Sequence, residues 1–321
     1  MAIRMQKNYC RVAAMKDNYE PSRLQELIKQ AKSLPPVTVA VVDAGETHVL
    51  KGAFEAADAE LITPVLVGRK KVIDTVCQKL GYSNHHFTII ETNSEQDAAQ
   101  KGIELVQAGE AQALAKGWIH TDALMRPVLK HLRTARRVSH VFIADLPKYH
   151  KLLFITDAAI NIEPDLLTKA AIVQNAVDLA RILGVDLPRV AALSAVEVVK
   201  PAISSTCDAA CLSKMAQRRQ ITNAIVDGPL AFDNAISKQA AEIKQIVSEV
   251  SGEADILLAP DLPAGNILAK DLDYLANATL AGIVLGAQVP IILTSRSDGT
   301  VARLASAALC SLVHQRWEEL N

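Results

Sequence analysis

Aromatic side chains make up only 4% of this 321-residue chain, although half of it is hydrophobic. Its interior must therefore be built from Ala, Val, Ile and Leu, the composition of strands buried on both faces of a parallel sheet. Neither sign of charge is in excess, and the formal net charge is −1. No basic cluster with interleaved aromatics occurs, so nucleic acid is not expected as the main partner, since such binding is driven by phosphate neutralisation. No run reaches the roughly 18 apolar residues that cross a bilayer. The nearest candidate, 280–293, is broken by Gln288 and Pro290. The first twenty residues lack the apolar stretch of a secretory signal. The five cysteines, Cys10, Cys77, Cys207, Cys211 and Cys310, are odd in number and scattered. No disulfide framework is expected, and a reducing cytoplasm is the expected compartment. Cys207 and Cys211 stand four apart on a predicted helix, but no second pair supports a metal site; they read as plain core or surface thiols.

Several chemical signatures are also missing. There is no G-x-G-x-x-G after a strand, no G-x-x-x-x-G-K-[ST], no G-x-S-x-G and no H-E-x-x-H. The histidines have no zinc-ligand spacing. Phosphate chemistry in this chain must therefore use arginines, hydroxyls and helix ends rather than a metal or a lysine-bearing loop.

What is present is alternation. Ser22 to Lys32 reads as an amphipathic helix, with Leu24, Leu27, Ile28 and Ala31 on one stripe and capping-box spacing between Ser22 and Gln25. Apolar runs follow at 37–42, 64–67, 87–90, 111–115, 138–144, 152–156, 189–194, 223–227, 254–259, 281–286 and 290–294. Most are separated by enough chain for a helix, the signature of βα units and mainly parallel sheets. About eleven strands is many for one sheet, so two α/β domains are expected. The boundary is placed near Pro147, with the last strand and helix returning to the first domain: 1–147 plus 287–321, and 148–286.

The most informative stretch is Val289 to Leu304, VPIILTSRSDGTVARL. A short apolar run stops at Thr294, Ser295 and Arg296, and a helical pattern starts near Asp298, with Val301, Leu304, Ala305, Ala308 and Leu312 on one face. A hydroxyl and a guanidinium where a strand hands over to a helix make an anion site. The helix end offers unpaired N–H groups and partial positive charge, and the planar fork of arginine matches phosphate oxygens.

Two other junctions carry chemistry. In AKGWIHTDALMRP a strand ends at Gly117 and Thr121 is placed to cap the next helix. Arg126 then falls in the second turn, as a phosphate or CoA contact or as a solvated helix arginine. His120 reads as a base or as a loop histidine bonded to backbone. In FITDAAINIEPD a strand ends at Thr156, and Pro164 suits a first helical position. Asp157 and Asn161 either line a cleft or organise a turn. Asp227, in IVDGPLAFDNA, poses the same choice.

Taken together, KGWIHTDALMRPVL, RRVSHVFIADLP, FITDAAINIEPDL, LSAVEVVKPAISST, DGPLAFDNAIS, ADILLAPDLPAGNILAKDLDYLA and VPIILTSRSD resemble the phosphate acetyl/butyryltransferase family, in order from about Val37 to Leu312. The likeness leans toward its butyryl branch. The resemblance implies two doubly wound α/β domains of the isocitrate/isopropylmalate dehydrogenase-like fold, with the active site in the interdomain cleft and homodimers usual. It implies that acyl-CoA and phosphate give acyl phosphate and CoA, with CoA as substrate and no metal cofactor. It assigns catalysis to Ser295 and Arg296, and substrate contacts to Arg126 and Thr121. The acetyl branch has its base aspartate several residues beyond the Ser-Arg pair, inside the last helix. Here the nearest following acid is Asp298, which comes earlier, and it is nominated as the base.

Two other readings are open. One is a metal-dependent decarboxylating dehydrogenase of the same fold, for which Asp255, Asp261, Asp271 and Asp273 would supply carboxylates. The other is a silent CoA- or acyl-phosphate-binding protein. Acyl chain length is not readable from the sequence.

Overall fold

The computed structural model describes residues 22–82, 87–294 and 298–317. The chain begins α1 (Arg23–Ala31), β1 (Val37–Val42), α2 (Thr47–Asp58), β2 (Ile62–Gly68), α3 (Lys70–Leu80), β3 (Thr88–Glu91) and α4 (Glu95–Gln107). It continues through β4 (Ala113–Lys116), α5 (Thr121–His131), β5 (Ser139–Asp145), β6 (Leu153–Thr156), α6 (Leu166–Ile182), β7 (Arg189–Leu193) and α7 (Ser204–Gln217). Next come β8 (Ile225–Leu230), α8 (Phe232–Ile236), α9 (Lys238–Ile243), β9 (Ile256–Leu258) and α10 (Leu262–Ala276). It closes with β10 (Thr279–Leu285), β11 (Ile291–Ile292) and α11 (Thr300–Arg316). Each of the eleven apolar runs contributes one of these strands.

The strands do not divide between two sheets as their number suggested. They form one sheet in the order β3-β2-β1-β4-β11-β10-β5-β6-β9-β7-β8. β3, β2, β1, β4 and β11 run parallel, β10 runs against both β11 and β5, and β6 runs against β5. β6, β9, β7 and β8 are parallel again. One sheet suffices because β5 and β6, on either side of Pro147, pair antiparallel through four residues of each. β11 pairs parallel with β4.

Strand alternation sorts the core. In β1, Val37, Val39 and Val41 join the clusters built with α1, α2, α3 and α11, while Ala40 and Val42 join the cluster under α4 and α5. The first of these clusters also takes in Phe154, Ile172 and Ile256, so apolar packing is continuous across both halves. Cys77 and Cys310 are buried, Cys207 is half-buried and Cys211 exposed, all as free thiols; Cys10 lies outside the described residues. No helix among the described residues is long and apolar enough to cross a membrane.

Two predicted helix starts change, and a third keeps its place with a different bond. Ser22 holds the cap position of α1, but its hydroxyl donates to Asp145 Oδ2 at 2.7 Å, beside an Arg23–Asp145 ion pair, and the Gln25 N–H donates to the Ser22 carbonyl instead of to the side chain. Thr121 is the first residue of α5, not its cap; His120, extended at ψ 142°, holds the cap position without a side-chain bond. Pro164 precedes the cap of α6, because the Asp165 carboxylate accepts the Thr168 N–H at 2.7 Å and sets the start at Leu166.

Candidate active site

β2 and β3 lie on one side of β1 and β4 on the other. Such a reversal leaves a crevice beyond the carboxyl ends of the two diverging strands. The β1 exit turns at Asp43, in the left-handed region at φ 60°, and reaches Glu46. The Glu46 carboxylate accepts the N–H groups of His48 and Val49 at 2.7 and 3.1 Å and fixes the start of α2. The β4 exit is Lys116-Gly117-Trp118. A Cβ on Gly117 would run into the carbonyl oxygens of Val42 and Asp43, so only glycine lets the two exits lie this close. β11 brings Thr294 to the same place.

Between these exits and under α2 and α11 lies a cavity of about 70 Å³. Its walls are apolar and small, including Val41, Val49, Ala53, Ala115, Ile292 and Ala307. Its polar lining is Glu46, His48, Lys116, Thr294 and Arg303. The Arg303 side chain is only 14% exposed. One Nη donates to the Asp298 carbonyl, and the other pairs with Glu55 at 2.8 Å and reaches the Thr300 hydroxyl at 3.3 Å. Its Nε is buried without a partner. A Cβ on Gly52 would sit 2.7 Å from Arg303 Cδ, so the guanidinium crosses α2 where a side chain is missing. Arg303 thus ties the turn before α11 to α2, and sequence reading missed it. It stands on the helix that follows the Ser-Arg pair in sequence, and nothing in its residue type sets it apart. Lys116 and Trp118 were also passed over inside the KGWIH segment.

A more polar crevice opens beside the first, lined by Asp43, Gly45, Glu46, Arg69, Val72, Glu95 and Trp118. Burial raises the Asp43 carboxyl above its ordinary range, Glu95 adds to this, and Arg69 opposes it. The α11 end carries no side-chain cap at Gly299, so its first N–H groups are not used by the chain in that way.

The predicted site residues are distributed as follows. Ser295 and Arg296 lie outside the described residues. Asp298 is half-buried just before α11, its carbonyl held by Arg303. His120 is exposed and Thr121 half-buried, two and three residues past cavity-lining Trp118; Arg126 is exposed one turn further along α5. Asp157 is 3% exposed. Its carboxylate accepts the N–H groups of Ala159, Ile160 and Asn161 and the Asn161 amide. Burial raises its carboxyl, and these donors pull the other way. Asn161 also donates to the Val138 carbonyl at 3.0 Å, binding this turn to the start of β5. The pair is a turn organiser placed at the junction of β5 and β6. Asp227 accepts the Gly228 N–H on the edge strand β8, seven steps along the sheet from β4, and is not brought to the crevice in one chain.

The four aspartates of the dehydrogenase reading do not converge. Asp255 pairs with Lys151 at 2.7 Å, Asp261 caps α10, and Asp271 and Asp273 lie along that helix. Among the described residues no group of three His, Cys, Asp or Glu side chains is placed to hold a metal ion.

Fold and crevice together define an α/β protein with an open, largely apolar cavity at strand carboxyl ends. The solved structure of a branched-chain phosphotransacylase from Enterococcus faecalis V583 superposes with a TM-score of 0.75 at 31% identity, over 87% of this chain and 99% of the other. A phosphate acetyltransferase of Rhizobium meliloti is 48% identical over 92% of this chain and 95% of its own length. A phosphate butyryltransferase of Clostridium acetobutylicum is 40% identical over 90% and 97%. Residues 69–310 match the phosphate acetyl/butaryl transferase family, and the chain belongs to it.

Proposed function

We propose that this chain transfers a short acyl group reversibly between CoA and inorganic phosphate, as a cytoplasmic homodimer with CoA as substrate and no resident metal. The observation that carries the reading is the cavity at the ends of β1, β4 and β11. It is apolar inside, Lys116 and Arg303 stand in its lining, and Thr294 beside it immediately precedes the Ser295-Arg296 motif. Family membership supports it independently. The cavity is lined wholly by segments 1–147 plus 287–321, so the reaction centre is assigned to its mouth, on the side of these segments that faces segment 148–286.

In the direction of acyl-CoA synthesis, the CoA sulfur attacks the carbonyl of an acyl phosphate. The C–S bond forms, the carbon–oxygen bond to phosphorus breaks, and phosphate leaves with the bonding pair. A thiol of pKa near 8.5 is only a few per cent thiolate at neutral pH, so proton removal helps; Asp298 is assigned that proton. Arg296 and Arg126 hold the phosphate, each charge-assisted bond contributing about 1.5–3 kcal/mol. The Ser295 hydroxyl or the uncapped α11 end donates to the tetrahedral oxyanion, an effect of about 10²–10³ in rate. His120 and Thr121 flank the substrate path. Asp157 and Asn161 act on it only through the turn they hold. Transfer is direct within a ternary complex.

The test is phosphate-dependent consumption of acetyl-, propionyl- and butyryl-CoA with release of free thiol. Thiol release that needs phosphate supports the reading, whereas acyl-CoA binding without release is the outcome of a silent binding protein. Asp298→Asn is expected to flatten the acid limb of the pH–rate profile, and an unchanged profile removes Asp298 from the mechanism.

A further inference from the structure

We infer that the cavity beneath α2 and α11 receives the hydrocarbon tail of the acyl group, and that Val49, Ala53 and Ala307 set how long that tail can be. The inference rests on the acyl-transfer reading and adds to it the location of chain-length selection.

Four observations support it. First, the cavity is walled by aliphatic side chains, yet it opens at strand carboxyl ends, where a polar ligand is expected. A ligand apolar at one end and anionic at the other fits both facts. Second, the cationic side chains of its lining, Lys116 and Arg303, come from the β4 exit and from α11, the two segments that close the crevice. They make the mouth of the cavity its polar end, opposite the aliphatic walls that would meet the acyl tail. Third, small residues border the empty space, Ala53 on α2 and Ala307 on α11. A cavity of about 70 Å³ is several times the ~10–15 Å³ that one water needs. Fourth, the two helices that wall it are tied to each other by the Arg303–Glu55 pair. The space is therefore a built feature, not slack in the packing.

A pocket of this kind discriminates by about tenfold or more per methylene that it can or cannot bury. Ala53→Leu fills it from α2 and Val49→Ala widens it. The measurement is the ratio of kcat/KM for butyryl-CoA to that for acetyl-CoA with phosphate. It is paired with the ratio of the two dissociation constants without phosphate, when no turnover occurs. Ala53→Leu is expected to lower the butyryl-to-acetyl preference at least ~10-fold in both ratios, and Val49→Ala to raise it ~3-fold. Ratios within twofold of the parent in Val49→Ala and in every Ala53 variant that folds overturn the inference, as does an equal loss for both substrates. If the parent protein releases no thiol at all, the acyl-transfer reading fails, and the binding ratios still decide the pocket.

Discussion

Among the described residues, two places where neighbouring strands diverge, beyond β1 and β4 and beyond β7 and β9, differ in how their polar groups are used. Beyond β1 and β4 the exits leave Lys116, Thr294 and Arg303 around an aliphatic cavity. Beyond β7 and β9 the equivalent place is lined by Lys169, Ser205, Asp208, Leu193 and Pro260. There Lys169 is buried and bonded to Asp208 at 2.6 Å, and Ser194 bonds Ser205 at 2.8 Å. The polar groups of the second crevice satisfy one another, so little is left to meet a ligand. The strand order provides such a place twice, and at the second the polar side chains pair with one another. A switch point is thus a place where a ligand can bind, and pairing within the chain decides whether it does.

The contrast can be broken or sharpened by four substitutions. Arg296→Lys keeps a charge but loses the planar fork, and kcat/KM for acyl transfer is expected to fall about 10²–10³-fold. Near-normal rates in Arg296→Lys, Arg296→Gln and Ser295→Ala together would move the reaction elsewhere. Lys169→Met leaves Asp208 unpaired in the second crevice. The expected loss is about 2–4 kcal/mol in chemical denaturation, somewhat under the range for fully buried pairs because the Asp208 side chain is 28% exposed. The acyl-transfer rate of the folded variant should not change; a rate loss at constant stability would mean that the second crevice also takes part.

Arg303→Ala removes the tie between α11 and α2. It is expected to lower stability by about 1–3 kcal/mol and to raise KM for phosphate more than it lowers kcat. Arg303→Lys should recover part of the stability but not the KM. His140→Leu is the smallest change. His140 is fully buried with both ring nitrogens unpartnered, and burial pushes its pKa down to about 3 from 6.5. The unfolded chain therefore binds a proton that the folded chain refuses between these values, so stability falls as the solution is acidified through that window. The apolar variant should lose that part of the acid slope in a thermal melt series and be close to neutral above pH 7. An identical slope would show that His140 is not the group responsible.

Strand positions were legible because the aromatic-poor core leaves Val, Ile, Leu and Ala runs standing out between polar helical stretches. Sheet order was not. β10 carries nothing in Thr279–Leu285 that announces an antiparallel strand wedged between β11 and β5, because one of its two partners, β5, lies more than a hundred residues away in the chain. Local caps were misread where a distant group intervened: Asp145 takes the Ser22 hydroxyl across 123 residues of chain. Of the residues proposed for the site, the Ser295-Arg296 motif and the KGWIHT segment stood out by residue type. Arg303 did not, since an arginine on a helix is ordinarily a solvated one, and only the gap at Gly52 and the carboxylate of Glu55 give it a role. His140 was quoted within a motif, yet nothing in the string reveals that its ring is sealed from water.

The shortest strand of the sheet has the widest consequence. β11 contributes two residues, Ile291 and Ile292, and joins β4 to β10 in the middle of the sheet. During synthesis every other strand leaves the ribosome before it, so the floor and one wall of the cavity arrive last. A nascent chain stalled short of residue 290 has its outer strands but an unfilled seam at the centre, exposing backbone edges on both sides. Competence for binding is therefore acquired at a single late moment, when the seam is closed from within.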